Sequence, residues 1–324
     1  MTMSDDTVLV TGGTGFIGSY TAADLVDHGY DVVAFDFSTD TRVLEKLGIE
    51  DDVEVVRGDV TDPTALLRAT RESDATYLIH LAALLTTGAR ADPRAAVKVN
   101  IEGTTNVFET ARILHDQVER VAWASSAAVY APPDRYDHGW VDEEELVYPD
   151  TLYGASKVYN ESQAHVYEED YDLDLVGLRP TVAYGPYRET GGSAFLANII
   201  EKPALGEPFS VDYGDQVIDW QYVVDIATSF RLAMETPAAD RGRSIYNVRG
   251  ELATIREAAE VVRELVPDAD LEVSDEGELP WTQRLDMSAA KRDLGYRPAY
   301  DLERGFREYI TVLRDEAGFS PLES

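Results

Sequence analysis

The chain has no cysteine, which excludes disulfides, thiolate catalysis, Cys-ligated zinc and iron–sulfur clusters together. Histidine is scarce as well. His28, His80, His115, His138 and His165 are scattered without ligand spacing, so no metal site is expected. No run of roughly eighteen apolar residues is present, which argues against a membrane-spanning helix. The opening MTMSDDTVLV is acidic and too short in its apolar part for a secretory signal, so a cytoplasmic protein is expected. Lysine is nearly missing: there are 5 Lys against 23 Arg, and 61 Asp plus Glu bring the formal charge to −33. This charge is spread over the whole chain, and such a surface repels nucleic acid and anionic membranes, so neither is an expected partner. A carboxylate shell with lysine replaced suits a cytosol of very high salt, where repulsion is screened within a few ångströms. A halophilic habitat is therefore expected.

What is present is a chain of 324 residues, enough for a large core. Its first half alternates short β-rich runs with helical stretches. The strand candidates are Val8 to Thr11, Asp31 to Phe35, Val53 to Arg57, Ala75 to Leu81, Arg120 to Ala124 and Leu173 to Leu178. Each is mostly apolar, as strands buried on both faces are. Helical patterns cover Phe16 to His28, Pro63 to Glu72, Pro93 to His115 and Leu152 to Glu169. The expected fold is α/β: a Rossmann-type, doubly wound parallel sheet with a smaller mixed C-terminal lobe. The sheet unit is expected over residues 1–187, with returning segments near 211–250. Residues 188–324 would mainly form a substrate-binding lobe.

The first strand runs into Gly12-Gly13-Thr14-Gly15-Phe16-Ile17-Gly18 and then a helix, the context in which glycines bind a dinucleotide. Gly12 allows the tight turn, and Gly15 lets backbone approach a pyrophosphate. Gly18 lets the helix pack closely, and Phe16 and Ile17 open the helix whose N-terminus faces phosphate. Asp36 ends the second strand, where a carboxylate accepts from ribose hydroxyls and repels a 2′-phosphate, so NAD is expected over NADP. Arg42 nearby could accommodate that phosphate and stands against the preference. Asp59 and Val60 follow the third strand, where a side chain can meet adenine or simply precede a helix cap. Leu81, Ala82 and Ala83 offer small side chains beside a ribose or ordinary packing. His80 is expected to be buried beside this cleft and not catalytic.

Tyr153-Gly154-Ala155-Ser156-Lys157 puts a phenol and an ammonium at i and i+4 on one helical face, where the positive charge can lower the phenol pKa. A solvated surface pair would have the same spacing. Ser125 and Ser126 follow the fifth strand, where a hydroxyl can hold a substrate alcohol beside the phenol. Ser126 is assigned the substrate and Tyr contact, Tyr153 the proton transfer and Lys157 the pKa shift and a ribose contact. Asn100 is a candidate for a water relay from Lys157.

In combination these motifs resemble the extended short-chain dehydrogenases/reductases of the NAD-dependent epimerase/dehydratase family. The resemblance spans nearly the full length. It rests on Thr11 to Gly18, Asp36, Asp59-Val60, His80 to Ala83, Asn100, Ser125 to Tyr130, Tyr153 to Lys157 and Leu178-Arg179-Pro180 leading to Tyr184-Gly185-Pro186. It continues through Asp219 to Ala227, Tyr246 to Val248, Asp286 to Lys291 and Leu294 to Tyr296. The resemblance implies an enzyme using NAD. It also implies nicotinamide-side contacts from Pro180 and Val182, a substrate contact from Thr181, and a homodimer built on the two long helices of the middle region.

Nucleotide-sugar epimerases of that family commonly place an Arg before the Asp-aromatic pair seen here as Asp219-Trp220, and another about ten residues before Asp286. This chain has Ile218 and Glu276-Gly277-Glu278 instead. The expected reaction is therefore oxidation of a secondary hydroxyl on a small substrate such as a free sugar, sugar acid, polyol or hydroxy acid. Phe195 and Asn198 lie in a segment, Ser193 to Pro208, that more weakly resembles dehydrogenases of small hydroxy acids. Arg179 and Arg188 could hold a substrate carboxylate or form surface ion pairs, with Arg188 preferred. The alternatives are a nucleotide-sugar epimerase/dehydratase with transient oxidation, and a non-catalytic NAD-binding regulator.

Overall fold

A computed structural model describes residues 6–132, 135–136, 139–279, 281 and 284–322. Strands β1 (Thr7–Thr11), β2 (Asp31–Asp36), β3 (Val53–Arg57), β4 (Tyr77–His80), β5 (Arg120–Ala124) and β6 (Leu175–Arg179) occur where the apolar runs place them. With β10 (Ile245–Asn247) they join one parallel sheet in the order β10-β6-β5-β4-β1-β2-β3. The expected α/β architecture is thus present. The chain reverses direction across the sheet between β1 and β4, the switch point where such sheets open a ligand crevice beyond the strand ends.

Alternation along β1 explains why both sheet faces are covered. Val8 and Val10 pack under α1 (Phe16–Asp27), with Ala22 and Leu25, whereas Leu9 points to the other face with Val107 and Phe108. On the first side α9 (Val223–Glu235) lies beside α1 through Ile226 and Phe230. Between β2 and β3 runs α2 (Arg42–Leu47). On the opposite face α3 (Pro63–Glu72) is capped by Asp62, whose side chain accepts from the Thr64 and Ala65 amides.

Three expectations about this half need correction. The helix read over Pro93 to His115 is α5 (Pro93–Ala96), a π-helical turn over Val97–Glu102, and α6 (Gly103–Ile113), preceded by a short α4 (Thr86–Ala91). The π turn is only 6 residues long, too short for its wider repeat to show in the hydrophobic pattern. The fourth strand starts at Tyr77, not Ala75, because the Ala75 amide bonds back to Thr70 to close α3. The catalytic-motif helix α7 (Leu152–Tyr171) runs two residues further than expected and ends at Asp172 in the left-handed region.

The second half builds a separate core. Strands β7 (Val182–Tyr184), β9 (Val217–Tyr222) and β11 (Glu251–Thr254) form a three-stranded sheet, and β8 (Phe209–Val211) pairs with β12 (Leu271–Val273). With α8 (Asn198–Ala204), α10 (Ile255–Leu265) and α11 (Leu302–Ala317) they bury Trp220, Tyr222, Ile255, Val262, Phe306 and Tyr309. Between β9 and β11 the chain returns to the large sheet as α9 and the short β10 (Ile245–Asn247), a seventh strand absent from the sequence reading.

Candidate active site

The turn after β1 is fixed by backbone geometry. Gly12 has φ +72°, donates its amide to the Phe35 carbonyl at 2.9 Å, and lies so close to β4's exit that a Cβ would come within 2.8 Å of the Ala82 nitrogen. A Cβ on Gly18 would strike the Gly12 carbonyl oxygen, so only glycine lets α1 start here. Gly15 is exposed, caps α1 without any side-chain bond, and leaves the first helical amides, Phe16 and Ile17 among them, facing the crevice. This open cradle at a helix N-terminus fits a pyrophosphate.

Asp36 leaves β2 with Oδ2 accepting the Thr14 amide at 3.2 Å and Oδ1 accepting the Ser38 amide at 3.0 Å, which holds the carboxylate beside the glycine turn. Arg42 is taken up by Asp40, at 2.7 Å, and does not face this carboxylate's position as a free cation. Asp59 is not the cap of α3, a role held by Asp62; its Oδ1 accepts the Thr61 amide at 2.9 Å. Val60 is buried under Gly103. Leu81, Ala82 and Ala83 are half-buried along the crevice, with the Leu81 amide on the Thr11 carbonyl.

Beyond the ends of β5 and β4 stand the catalytic candidates. Ser126 is extended, with its Oγ accepting the Ala128 amide at 3.1 Å, and it hydrogen-bonds the Tyr153 phenol. Gly154 makes this meeting possible: a Cβ there would lie 2.1 Å from the Ala128 carbonyl oxygen, so the first turn of α7 rests directly on the 3₁₀ turn after Ser126. Lys157 is 2% exposed, donates to the Ala124 carbonyl at 2.6 Å, and stands 5.5 Å from the Tyr153 ring centre. Burial pulls its ammonium down to about 8, opposed by Glu161.

The expected lowering of the Tyr153 phenol is corrected by the geometry. Burial pushes it above its ordinary value, and the Ser126 hydrogen bond only opposes this. The Asn100 side chain is held by its neighbours. It sits in the π turn, accepts from the Leu84 amide at 2.8 Å and donates to the Leu84 carbonyl and Ser156, so its side chain anchors the loop before α4; no contact with Lys157 is seen among the described residues. Ser125 is buried and donates to Glu161 at 2.5 Å, which removes it from the substrate side. Arg179 is buried against the same Glu161 at 2.7 Å and is no carboxylate clamp for a substrate.

On the opposite wall, Thr181 bonds Gln221 through its amide at 3.1 Å, Val182 is half-buried in β7, and the Pro180 carbonyl accepts from Ala127. Arg188 forms no surface ion pair among the described residues. It donates to the Ala183 carbonyl and to Ser193 at 2.8 Å, within reach of Gly191 and the Leu85 side of the crevice, and burial pulls its guanidinium to about 10. Phe195 packs with Tyr213 and Trp281, and Asn198 opens α8, half-buried. Ile218 is buried. Asp219 is buried too, accepting the Arg284 and Leu285 amides, and burial raises its carboxyl to about 6. His80 is buried between Thr11 and Thr104; His138 lies outside the described residues, and no metal-holding group of side chains occurs among the described ones.

A profile of the NAD dependent epimerase/dehydratase family matches residues 8–248. The chain belongs to this family. It is 30% identical over 321 residues to UDP-glucose 4-epimerase of Mycolicibacterium smegmatis, covering 95% of this chain and 99% of that protein. It is 28% identical over 334 residues to UDP-glucuronate 4-epimerase 4 of Arabidopsis thaliana, covering 94% and 74%. Among solved structures, UDP-glucose 4-epimerase of Thermus thermophilus in complex with NAD is 30% identical with a TM-score of 0.79, covering 95% and 99%. L-threonine 3-dehydrogenase from Trypanosoma brucei shares the fold at a TM-score of 0.85 and 22% identity, covering 97% and 99%.

This epimerase/dehydratase family member is thus an NAD-dependent enzyme. The expectation of net oxidation of a free sugar gains no support from these relatives, which favour the epimerase alternative. No helix among the described residues is long and apolar enough to cross a membrane.

Proposed function

We propose that the protein is an NAD-dependent nucleotide-sugar epimerase that oxidises a ring carbinol transiently and re-reduces it. The observation that carries this is the convergence of Ser126, Tyr153 and Lys157 on one end of the sheet, beside the glycine turn, in a chain aligned almost end to end with UDP-sugar 4-epimerases. Gly12, Gly15, Gly18, the amides of Phe16 and Ile17, Asp36, Asp59, Val60 and Leu81 to Ala83 would hold NAD, and Lys157 its ribose. The cofactor supplies the hydride acceptor and donor. The chain supplies the proton chemistry: Ser126 orients the substrate hydroxyl and Tyr153 takes its proton as the carbinol is oxidised. Tyr153 then returns the proton when the opposite face is reduced. Lys157 stabilises the phenolate that this requires. Arg188 and Thr181 would line the sugar.

The second reading, a dehydrogenase of a small hydroxy or sugar acid, is favoured by Ile218 and Glu276, which leave no guanidinium at two positions that grip a diphosphate in the family's epimerases. The test incubates the protein with NAD and UDP-glucose, UDP-galactose or UDP-glucuronate in molar salt, and separately with sugar acids, polyols and hydroxy acids. A C4 epimer without net NADH supports the epimerase. Stoichiometric NADH with a small acid and no epimer replaces it with the second reading.

A further inference from the structure

We infer that Glu161 is a positioning residue for the Tyr153–Lys157 pair: it stands one turn beyond Lys157 on α7 and, through Ser125, ties that helix to the turn bearing Ser126. The inference rests on the proposal that this pair moves the proton. Glu161 lies at i+4 from Lys157 and i+8 from Tyr153 on one helix face. Its Oε1 accepts the Ser125 hydroxyl at 2.5 Å and Arg179 Nε at 2.8 Å, and its Oε2 accepts Arg179 Nη2 at 2.7 Å. Arg179 also donates to the Tyr130 phenol oxygen, and Tyr130 bonds Asn247 Oδ1 at 2.9 Å. One buried carboxylate therefore joins α7 to the ends of β5, β6 and β10.

The pair is nearly dry, its side chains 10% and 5% exposed. A buried ion pair is a weak source of stability compared with apolar packing, so its placement one turn from the ammonium points to the site. Among the described residues, Glu161 is the one charged group found to act on the Lys157 ammonium. Tyr153 is on its own helix, and His80 from β4 is held neutral by burial, its pKa about 3. Arg179 from β6 is already bonded to Glu161, Glu143 and Arg243 beside them pair with each other, and the chain leaving β5 brings the Ala124 carbonyl, Ser125 and Ser126. On the packed side from α4 to α6, Arg90, Arg94, Lys98 and Glu102 are exposed, while Glu109 and Arg112 pair with each other.

The test reads Lys157 directly. The chain has 5 lysines, so ¹³Cε-lysine labelling of the full-length protein gives a sparse spectrum, and the K157M variant assigns the signal. In the wild-type protein the Lys157 signal should titrate near 8. In E161Q its midpoint should fall by about one pH unit, the usual effect of losing an opposite charge. The double variant E161Q/R179M removes the stranded guanidinium and keeps the fold measurable; it should retain NAD binding and keep the lowered midpoint. A double variant with the wild-type midpoint makes Glu161 merely the partner of Arg179 and overturns the inference, as does an unmoved midpoint in E161Q. S125A should leave the titration in place and lower turnover about tenfold, the worth of one hydrogen bond; unchanged turnover removes the Ser125 link. If K157M turns over as the wild type does, the underlying reading of the pair fails instead.

Discussion

His80 Nδ1 lies 2.7 Å from Thr11 Oγ1 and Nε2 lies 2.9 Å from Thr104 Oγ1, so two hydroxyls satisfy a ring that is 1% exposed. Burial holds its pKa at about 3, below the 6.5 of an unfolded chain. A depressed histidine is neutral when folded and gains a proton on unfolding. Its contribution is complete above pH 6.5 and is lost as pH falls, at roughly 1.4 kcal/mol per unit. His80→Gln should therefore narrow its stability gap to the wild type by about 2 kcal/mol between pH 7 and pH 5, read by denaturant unfolding. A constant gap would contradict the neutral ring. Asp219, raised to about 6, works in the opposite direction but is common to both proteins and cancels. At this scale the meeting of the glycine turn, Asp36, Tyr153 and Lys157 at one end of the sheet was legible because each sits in one short local pattern. Ser125 and Arg179 were not, because the carboxylate that claims both comes from α7, 36 and 18 residues away. The i+4 spacing of Lys157 and Glu161 was the available signal for it.

Among the elements, α7 carries the tightest constraint. Its first turn touches the Ala127–Val129 turn at Gly154, where a methyl group would meet the Ala128 carbonyl oxygen at 2.1 Å. Gly154→Ala should displace Tyr153 from Ser126 and cost about 10²-fold in turnover, the scale of a 1 Å misplacement. NAD affinity, set by β1 and α1, should stay within a few-fold by calorimetry. Equal turnover in the variant would show that the contact does not position the phenol. The strands were readable from apolar runs, since burial on both faces writes itself into sequence. The π turn around Asn100 was not, because it depends on partners elsewhere: Asn160 donates to the Asn100 carbonyl at 2.8 Å, and Leu84 holds its amide. The seventh strand, β10, escaped because three residues give too little pattern and its neighbour β6 lies far back in the chain.

At the scale of the whole molecule, the charge of −33 predicts stability that rises with salt as carboxylate repulsion is screened. The midpoint of thermal unfolding should climb steadily from 0.1 to 2 M KCl; a flat or falling midpoint would refute a halophilic surface. Val97, Ile113, Tyr159, Val166 and Tyr171 are each about half exposed on the α5 to α7 side. We propose that this side joins two copies, so Val166→Asp should shift the light-scattering mass from dimer to monomer, and an unchanged mass would place any interface elsewhere. The proposed division of labour, with the parallel sheet as cofactor unit and the second core as substrate lobe, comes to its most direct test at the phenol. NAD binding by calorimetry and turnover of whichever substrate the incubation with UDP-sugars and small acids reveals should be measured together for Tyr153→Phe. NAD affinity should be unchanged and turnover lowered by at least about 10²-fold, the contribution of a positioned acid–base group. Turnover close to wild type, or loss of NAD binding along with it, would contradict this reading.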